Sequence, residues 1–508
     1  MIKETEIAQG KVRGIAAADP RIISYKGIPY AEPPVGKLRW RAPQPHHGWE
    51  GVRDCFQFSP IPCQSKPQPG ISNIYDLEWN VDKTIPMDED CLTLNIWTPA
   101  KDKSEKLPVY FWIYGGGLQW GNSAEMEFDG ERIARRGIVV VTINYRLNVF
   151  GFFASTEKDA DGKSVERNIG NRDQAFALKW VYENIAAFGG DPEHIVIGGQ
   201  SAGGGSVLSQ LNYPENRKYI KGAVVESGYF KNPYIDHFNF PSDMAEKQSE
   251  EFLKSLGANN IDEAKALSWE QVRDGNDSFQ KMWFGLTGND FTRVSVEKGI
   301  LEKTFIDVPM LHGWTNNEFF GALQASSKEE FEAKAREVYG PDADRFLELM
   351  KVPGGAGMCK DDPDNSRFNS VELGNISFTR LRKAAGMKSK SWIYEFGPYM
   401  PGGDEPGAFH SSDLWFFFET LAKCWRPFDG KYYDLSRKMC NYLCNFIKTL
   451  DPNGKDTDPE GKELPEWKNY TDETPCIMNF KTQPESEIRI PDEKMEFYLD
   501  WAGKKARG

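Results

Sequence analysis

Apolar positions in this chain fall into short unbroken runs separated by stretches of helical period. Residues 107–114 (LPVYFWIY) and 137–145 (GIVVVTINY) are rich in β-branched and aromatic residues, the pattern of strands buried on both faces. Over 168–188 the period changes, with Ala175, Leu178, Val181, Tyr182 and Ile185 on one helical face. The breaker Gly189-Gly190-Asp191-Pro192 ends that helix. Residues 194–198 (HIVIG) predict the next strand, and after a Gly/Ser-rich turn residues 206–211 predict a helix. Further strands are expected at 221–225, 305–311 and 391–396. Strands alternating with helices imply a mostly parallel central sheet flanked by helices, an α/β architecture.

Between about 230–304 and 326–388 the text turns helical, charged and irregular. No long Gly/Ser/Pro linker sets these stretches apart, so they read as insertions over the sheet, within one domain spanning 1–508. The Pro/Gly run 353–357 and the acidic run 361–364 read as surface turns, and no internal repeat is found.

Composition narrows the classes. A chain of 508 residues that is 39% hydrophobic can build a large core. The net charge of −13 speaks against nucleic acid and anionic membranes, which would be repelled. No apolar run reaches the roughly 18 residues of a membrane helix, and the first twenty residues carry no signal-peptide pattern, so a cytoplasmic location is expected. Eight cysteines do not make a disulfide scaffold. Cys440 and Cys444 stand at i, i+4, but no His or second Cys pair lies near in sequence to complete a zinc site, so they read as core thiols.

Chemistry enters at Gly199-Gln200-Ser201-Ala202-Gly203, a G-x-S-x-G elbow between the strand HIVIG and a helix. A Ser on so tight a turn stands at the carboxyl end of the sheet, where the N-terminal N–H groups of the next helix meet a developing anion. Upstream, Gly115-Gly116-Gly117 follows the strand FWIY, and consecutive glycines let backbone N–H groups approach a ligand closely. The nucleophile needs a base, and the chain has six His. His46 and His47 lie in a Pro/Trp-rich N-terminal stretch, His194 opens the elbow strand at the end away from Ser201, and His237 lies in the first insertion. His410, in a loop after the strand at 391–396, fits the order Ser…Asp/Glu…His; His312 is the runner-up. Glu318, after the strand expected at 305–311, is the candidate acid, although composition alone leaves Asp404 and Glu405 open.

These blocks resemble the type-B carboxylesterase family, which includes cholinesterases and bacterial para-nitrobenzyl-type esterases. The likeness also runs through Gly27-Ile28-Pro29-Tyr30-Ala31-Glu32-Pro33-Pro34-Val35-Gly36, Glu89-Asp90-Cys91-Leu92-Thr93-Leu94-Asn95-Ile96-Trp97, Asn144-Tyr145-Arg146, Asp173-Gln174 and Glu226-Ser227-Gly228. The resemblance implies an α/β-hydrolase fold and a serine carboxylic ester hydrolase without metal or organic cofactor. It implies nucleophile Ser201, base His410, acid Glu318, and an oxyanion hole from the N–H groups of Gly116, Gly117 and Ala202. It also implies ion pairs Arg39–Glu89 and Arg146–Asp173, and a Cys63–Cys91 disulfide that a reducing compartment would leave open.

Departures from the pattern bear on the substrate, expected to be a neutral small-molecule ester. Gln200 stands where the family usually has Glu, which disfavours cationic alcohols; Leu118 follows the glycines where Phe is common; Trp79 does not match the spacing of the choline-site Trp. Leu118, Gln200, Trp120 and Trp415 are candidate substrate contacts. Aromatics including Trp120, Trp283, Phe284, Trp314 and Trp415 keep a cinnamoyl-type phenolic esterase open as an alternative. A non-catalytic binding protein, the alternative from another class, is disfavoured because all three triad positions are occupied.

Overall fold

The β-branched runs pair into an 11-stranded sheet, seen in a computed structural model that describes residues 1–66, 74–78, 85–234, 241–350, 366–454 and 463–507. In chain order its strands are β1 (Ile15–Ala16), β2 (Ile23–Pro29), β3 (Thr93–Thr98), β4 (Leu107–Ile113), β5 (Val139–Ile143), β6 (Gly190–Gln200), β7 (Ile220–Glu226), β8 (Met310–Thr315), β9 (Ser391–Phe396), β10 (Cys476–Phe480) and β11 (Pro484–Ile488). Across the sheet they run β11-β10-β9-β8-β7-β6-β4-β5-β3-β2-β1. From β10 to β5 every pairing is parallel, and the edges are antiparallel. Every residue of β3, β5, β8 and β10 is buried. Successive side chains in a strand point to opposite faces, so unbroken burial means that both faces are covered. This is the α/β-hydrolase arrangement expected from the sequence.

Helix α1 (Ile169–Asn184) packs on β6, and α2 (Ala202–Leu211) packs on β6 and β7. The sequence pattern started α2 at residue 206, but the helix begins directly after Ser201. Gly203, Gly204 and Gly205 hid its first turn, because glycine is a poor helix former and carries no periodic signal.

The strand expected over 305–311 is displaced to Met310–Thr315. Pro309 lacks the N–H that a central strand donates, so the ladder starts after it. Phe305 and Ile306 are apolar because they pack into the core from the preceding loop.

Segments from the two insertion stretches bury their own apolar faces. Phe252, Leu253, Ile261, Val272 and Trp283 pack against Trp40 and Phe150, Phe152 and Phe153. Phe331, Tyr339, Phe346 and Phe368 pack with Trp314, Phe497 and Tyr498. Arg39 holds Glu89 through two bonds of 2.6 Å and also donates to the carbonyls of Ala264 and Leu267. The second expected pair, Arg146–Asp173, closes at 2.8 and 2.6 Å. The sulfurs of Cys440 and Cys444 lie 4.0 Å apart in the core, and Cys63 and Cys91 are free thiols.

Among the described residues no helix is long and apolar enough to cross a membrane. Trp79, His237 and the turns expected at 353–357 and 361–364 lie outside the described residues.

Candidate active site

Four adjacent strands, β6, β7, β8 and β9, bring their carboxyl ends together at one edge of the sheet, and the candidate residues sit on the turns leaving them. Ser201 leaves β6 with φ 54° and ψ −125°, a region that costs a non-glycine residue about 1–3 kcal/mol. The turn is held by its neighbours: Ser201 N–H donates to the Glu226 carbonyl at 2.8 Å, and Gly205 N–H donates to the Ser201 carbonyl at 2.9 Å. Glycine is required by contact as well as by the turn. A Cβ on Gly199 would lie 2.5 Å from the Gly203 carbonyl oxygen, and one on Gly203 would lie 2.1 Å from the Ile113 carbonyl oxygen. The Ser201 residue itself is only half-buried.

The glycine loop after β4 turns back against this elbow. A Cβ on Gly115 would lie 3.1 Å from Ser201 Cβ. Gly116, with φ +94°, is capped by hydrogen bonds from Gln119 N–H and Trp120 N–H to its carbonyl. Among the described hydrogen bonds, the N–H groups of Gly116, Gly117 and Ala202 donate to no protein acceptor. Three unspent donors beside a strained serine are what a developing oxyanion needs.

His410 and Glu318 are brought together by a short strap. Asn317 bridges Phe409 in parallel, and Asn317 N–H donates to the Ala408 carbonyl at 2.9 Å. The next residue on each side then meets its opposite number: His410 Nδ1 donates to Glu318 Oε2 at 2.6 Å. Because the carboxylate accepts at Nδ1, the proton sits there, and Nε2 presents its lone pair. That lone pair faces the elbow, where the Gln200 amide nitrogen donates to Nε2 at 3.2 Å.

Glu318 is fully buried, which pushes its carboxyl up, but its partners more than offset the burial. The adjoining His410, the Ser227 hydroxyl (2.5 Å) and the Thr315 N–H (3.0 Å) hold it below the usual carboxylate range, and the Thr315 hydroxyl also donates to it at 3.1 Å.

The rival groups are engaged elsewhere. His312 lies inside β8 with Nδ1 on Asn375 Oδ1 at 2.6 Å, and burial lowers its imidazole to about 4. Asp404 pairs with Arg426. His194 holds the Ile447 carbonyl at 2.7 Å.

Of the four candidate substrate contacts, Gln200 touches the base and Leu118, at φ 64°, follows the free glycines. Trp120 is half-exposed beside the same loop. Trp415 is a correction: it is fully buried with its indole N–H on Glu78 Oε2 at 3.0 Å, and offers no face to a ligand. Trp283 and Trp314 are likewise core residues. The sequence reading missed Ser227 and Thr315, which hold the acid, and Phe319, whose ring lies 4.7 Å from the imidazole.

A 530 Å³ cavity opens elsewhere, between Arg41, Arg167 and Asp290, and none of its lining residues belongs to the Ser201 cluster. Among the described residues, one His and carboxylate group, Glu32, His46 and His47, has ligand-type atoms within 4.8 Å of each other. One nitrogen of each ring is engaged, His47 Nδ1 with Glu32 at 2.5 Å and His46 Nδ1 with Gly48 N–H at 2.9 Å.

Known proteins resemble this chain in sequence and in fold. The model of the carboxylesterase family matches residues 2–348 and 367–498. The chain is 30% identical to the para-nitrobenzyl esterase of Bacillus subtilis, over 94% of this chain and 96% of that protein. It is 40% identical to a cocaine esterase of Oryctolagus cuniculus, over 88% of this chain and 87% of that protein. A solved PNB esterase superposes with a TM-score of 0.77 at 27% identity, covering 98% of this chain and all of the other.

Proposed function

We propose, for a chain that belongs to the carboxylesterase family and is a carboxylic ester hydrolase, that Ser201, His410 and Glu318 perform the hydrolysis on neutral small-molecule esters. The observation that carries this reading is the 2.6 Å contact of Glu318 with His410 Nδ1, which leaves Nε2 facing the Gln200-Ser201 turn. The full 1–508 chain then acts as one hydrolase unit.

His410 Nε2 takes the hydroxyl proton as Ser201 Oγ attacks the ester carbonyl. The carbonyl oxygen becomes an oxyanion among the N–H groups of Gly116, Gly117 and Ala202, where loss of one donor costs about 3–4 kcal/mol of barrier. Glu318 holds the imidazolium in place. His410 passes its proton to the departing alcohol, leaving Ser201 acylated. Water then gives a proton to His410 as its oxygen attacks the acyl carbon, and that proton returns to Ser201 as the carboxylic acid departs.

A neutral substrate fits the Gln200 amide at Nε2, where a carboxylate would favour a cation. Ser201→Ala is expected to keep the native melting profile, lose labelling by a fluorophosphonate probe and lose several orders of magnitude in kcat. Near-native turnover in a folded Ser201→Ala protein would end the proposal.

A further inference from the structure

The chemistry assigns one side of the ester to one wall of the site. His410 Nε2 must hand its proton to the departing oxygen, so that oxygen comes within about 3 Å of Nε2. The alcohol part of the ester therefore lies against whatever flanks the imidazole. That flank is aromatic. The Phe319 ring centroid is 4.7 Å from the His410 ring at an interplanar angle of 48°. Phe230 stands 5.5 Å from Phe319 and 6.1 Å from His410.

Exposure distinguishes these rings from core. His410 is 6% exposed, whereas Phe319, directly after the buried Glu318, is 52% exposed. One part of Phe319 rests on the catalytic imidazole and the rest is open. Phe320 is also exposed, but the Arg367 guanidinium lies 3.8 Å over its ring.

The wall beside the oxyanion loop has a different character. There the Met282 methyl lies 3.6 Å from where a Gly117 Cβ would stand, and Leu118 follows in the chain. The imidazole flank is built of phenylalanine rings, whereas the oxyanion loop meets the Trp120 indole as well as these aliphatic groups.

We propose that Phe319 and Phe230 form a leaving-group subsite that selects esters of aromatic alcohols, phenols and benzylic alcohols, over esters of saturated alcohols of equal size. The proposal rests on the triad reading, since it is proton delivery by His410 that puts the alcohol on this side. Aromatic rings pair at centroid distances of about 4.5–7 Å in tilted or offset geometries, as Phe230 and Phe319 already do, and a third ring can join them. A saturated ring of the same volume buries similar area without that directional term, so the subsite separates the two by character.

The test compares kcat/KM for benzyl acetate and cyclohexylmethyl acetate, which share the acyl group and differ in the alcohol ring, in the wild type and in Phe319→Leu. Wild type is expected to favour the benzyl ester by roughly two- to ten-fold, and Phe319→Leu to lose most of that preference. Ethyl acetate against ethyl butanoate should keep its wild-type ratio in the same variant. As a second measurement on unaltered protein, benzyl alcohol should inhibit as a product more strongly than cyclohexylmethanol. A benzyl ratio unchanged while all rates fall would overturn the proposal and leave Phe319 as mere support for His410. A change in the acetate-to-butanoate ratio instead would overturn it by putting the ring on the acyl side. Full turnover of both acetates by Ser201→Ala would be a failure of the triad reading itself, visible whatever the Phe319 ratios.

Discussion

Ser227→Ala is the sharpest probe of how the acid is held. Glu318 Oε1 accepts from the Ser227 hydroxyl, the Thr315 N–H and the Thr315 hydroxyl, while Oε2 is occupied by His410. Alanine keeps the Cβ and the same backbone strain at φ 46°, so the change removes one donor and little else. A hydrogen bond to a charged group is worth about 1.5–3 kcal/mol, and the Glu318 side chain that receives it is fully buried. The protonated acid should therefore gain roughly ten- to hundred-fold over the carboxylate.

The sign follows from the direction of the native shift. Because Glu318 is held below the usual carboxylate range, its contribution is in force above that range and fades as pH falls through the folded value. Losing the Ser227 bond moves that fading to higher pH. The assay is a kcat/KM profile against pH with a neutral acetate ester, alongside melting curves. The variant should stay within a few-fold of wild type on the plateau, fall behind roughly ten-fold or more along the acid limb, and melt earlier. A wild-type-to-variant ratio that is flat, or that shrinks toward low pH, would refute the role assigned to Ser227.

Gln200→Glu places a carboxylate against Nε2, where unit charges about 4 Å apart interact by roughly 4 kcal/mol in a partly screened interior. The acid limb of kcat/KM should move to higher pH, and a choline ester should gain at least roughly ten-fold on its uncharged dimethylbutyl analogue; an unchanged ratio contradicts this. Glu226 and Asp413 are both fully buried, and neither Glu226 oxygen has a hydrogen-bond partner. Burial, with the neighbouring Asp413, raises Glu226 well above the usual carboxylate range, and burial raises Asp413 to about 6, so stability should drain away as pH rises through that window. Glu226→Gln should flatten that decline in a melting series, and a parallel decline in both proteins would count against it.

The parts of this site legible in the sequence are those encoded over a few consecutive residues. The elbow Gly199–Gly203 and the glycine loop announce themselves because close approach and left-handed backbone demand glycine there. His410 emerges from chain order together with its place on a loop after a strand. What stayed hidden depends on strand ends meeting in space. Ser227 reaches Glu318 because β7 lies beside β8, and nothing in Glu226-Ser227-Gly228 says which strand will be its neighbour. Trp415 failed for the same reason: a tryptophan near His410 in sequence turned inward to Glu78, some 337 positions away. The misplaced β8 shows a further limit, since Phe305, Ile306 and Val308 pack into the core as a loop while Gly313 and Thr315 form strand.

Four of the thirteen non-glycine residues with positive φ among the described residues lie in the turns around Ser201, Glu318 and His410. Leu118, Ser201, Ser227 and Ser411 all have left-handed φ values, of 64°, 54°, 46° and 78°, and none is glycine. Leu118 follows the glycines of the loop, Ser201 carries the proposed nucleophile, Ser227 donates to Glu318, and Ser411 follows His410. At about 1–3 kcal/mol each, such strain sums to an appreciable fraction of a typical folding free energy. A chain could shed it with four glycines, but glycine at 201 or 227 would delete a hydroxyl that the proposed chemistry uses, and glycine elsewhere would loosen the turn. The strain is tolerable because it hangs from the carboxyl ends of parallel strands buried on both faces. Burial in those strands fixes where Ser201, Glu318, His410 and the glycine loop stand, so the proposed nucleophile, acid, base and oxyanion donors are in place before a substrate arrives.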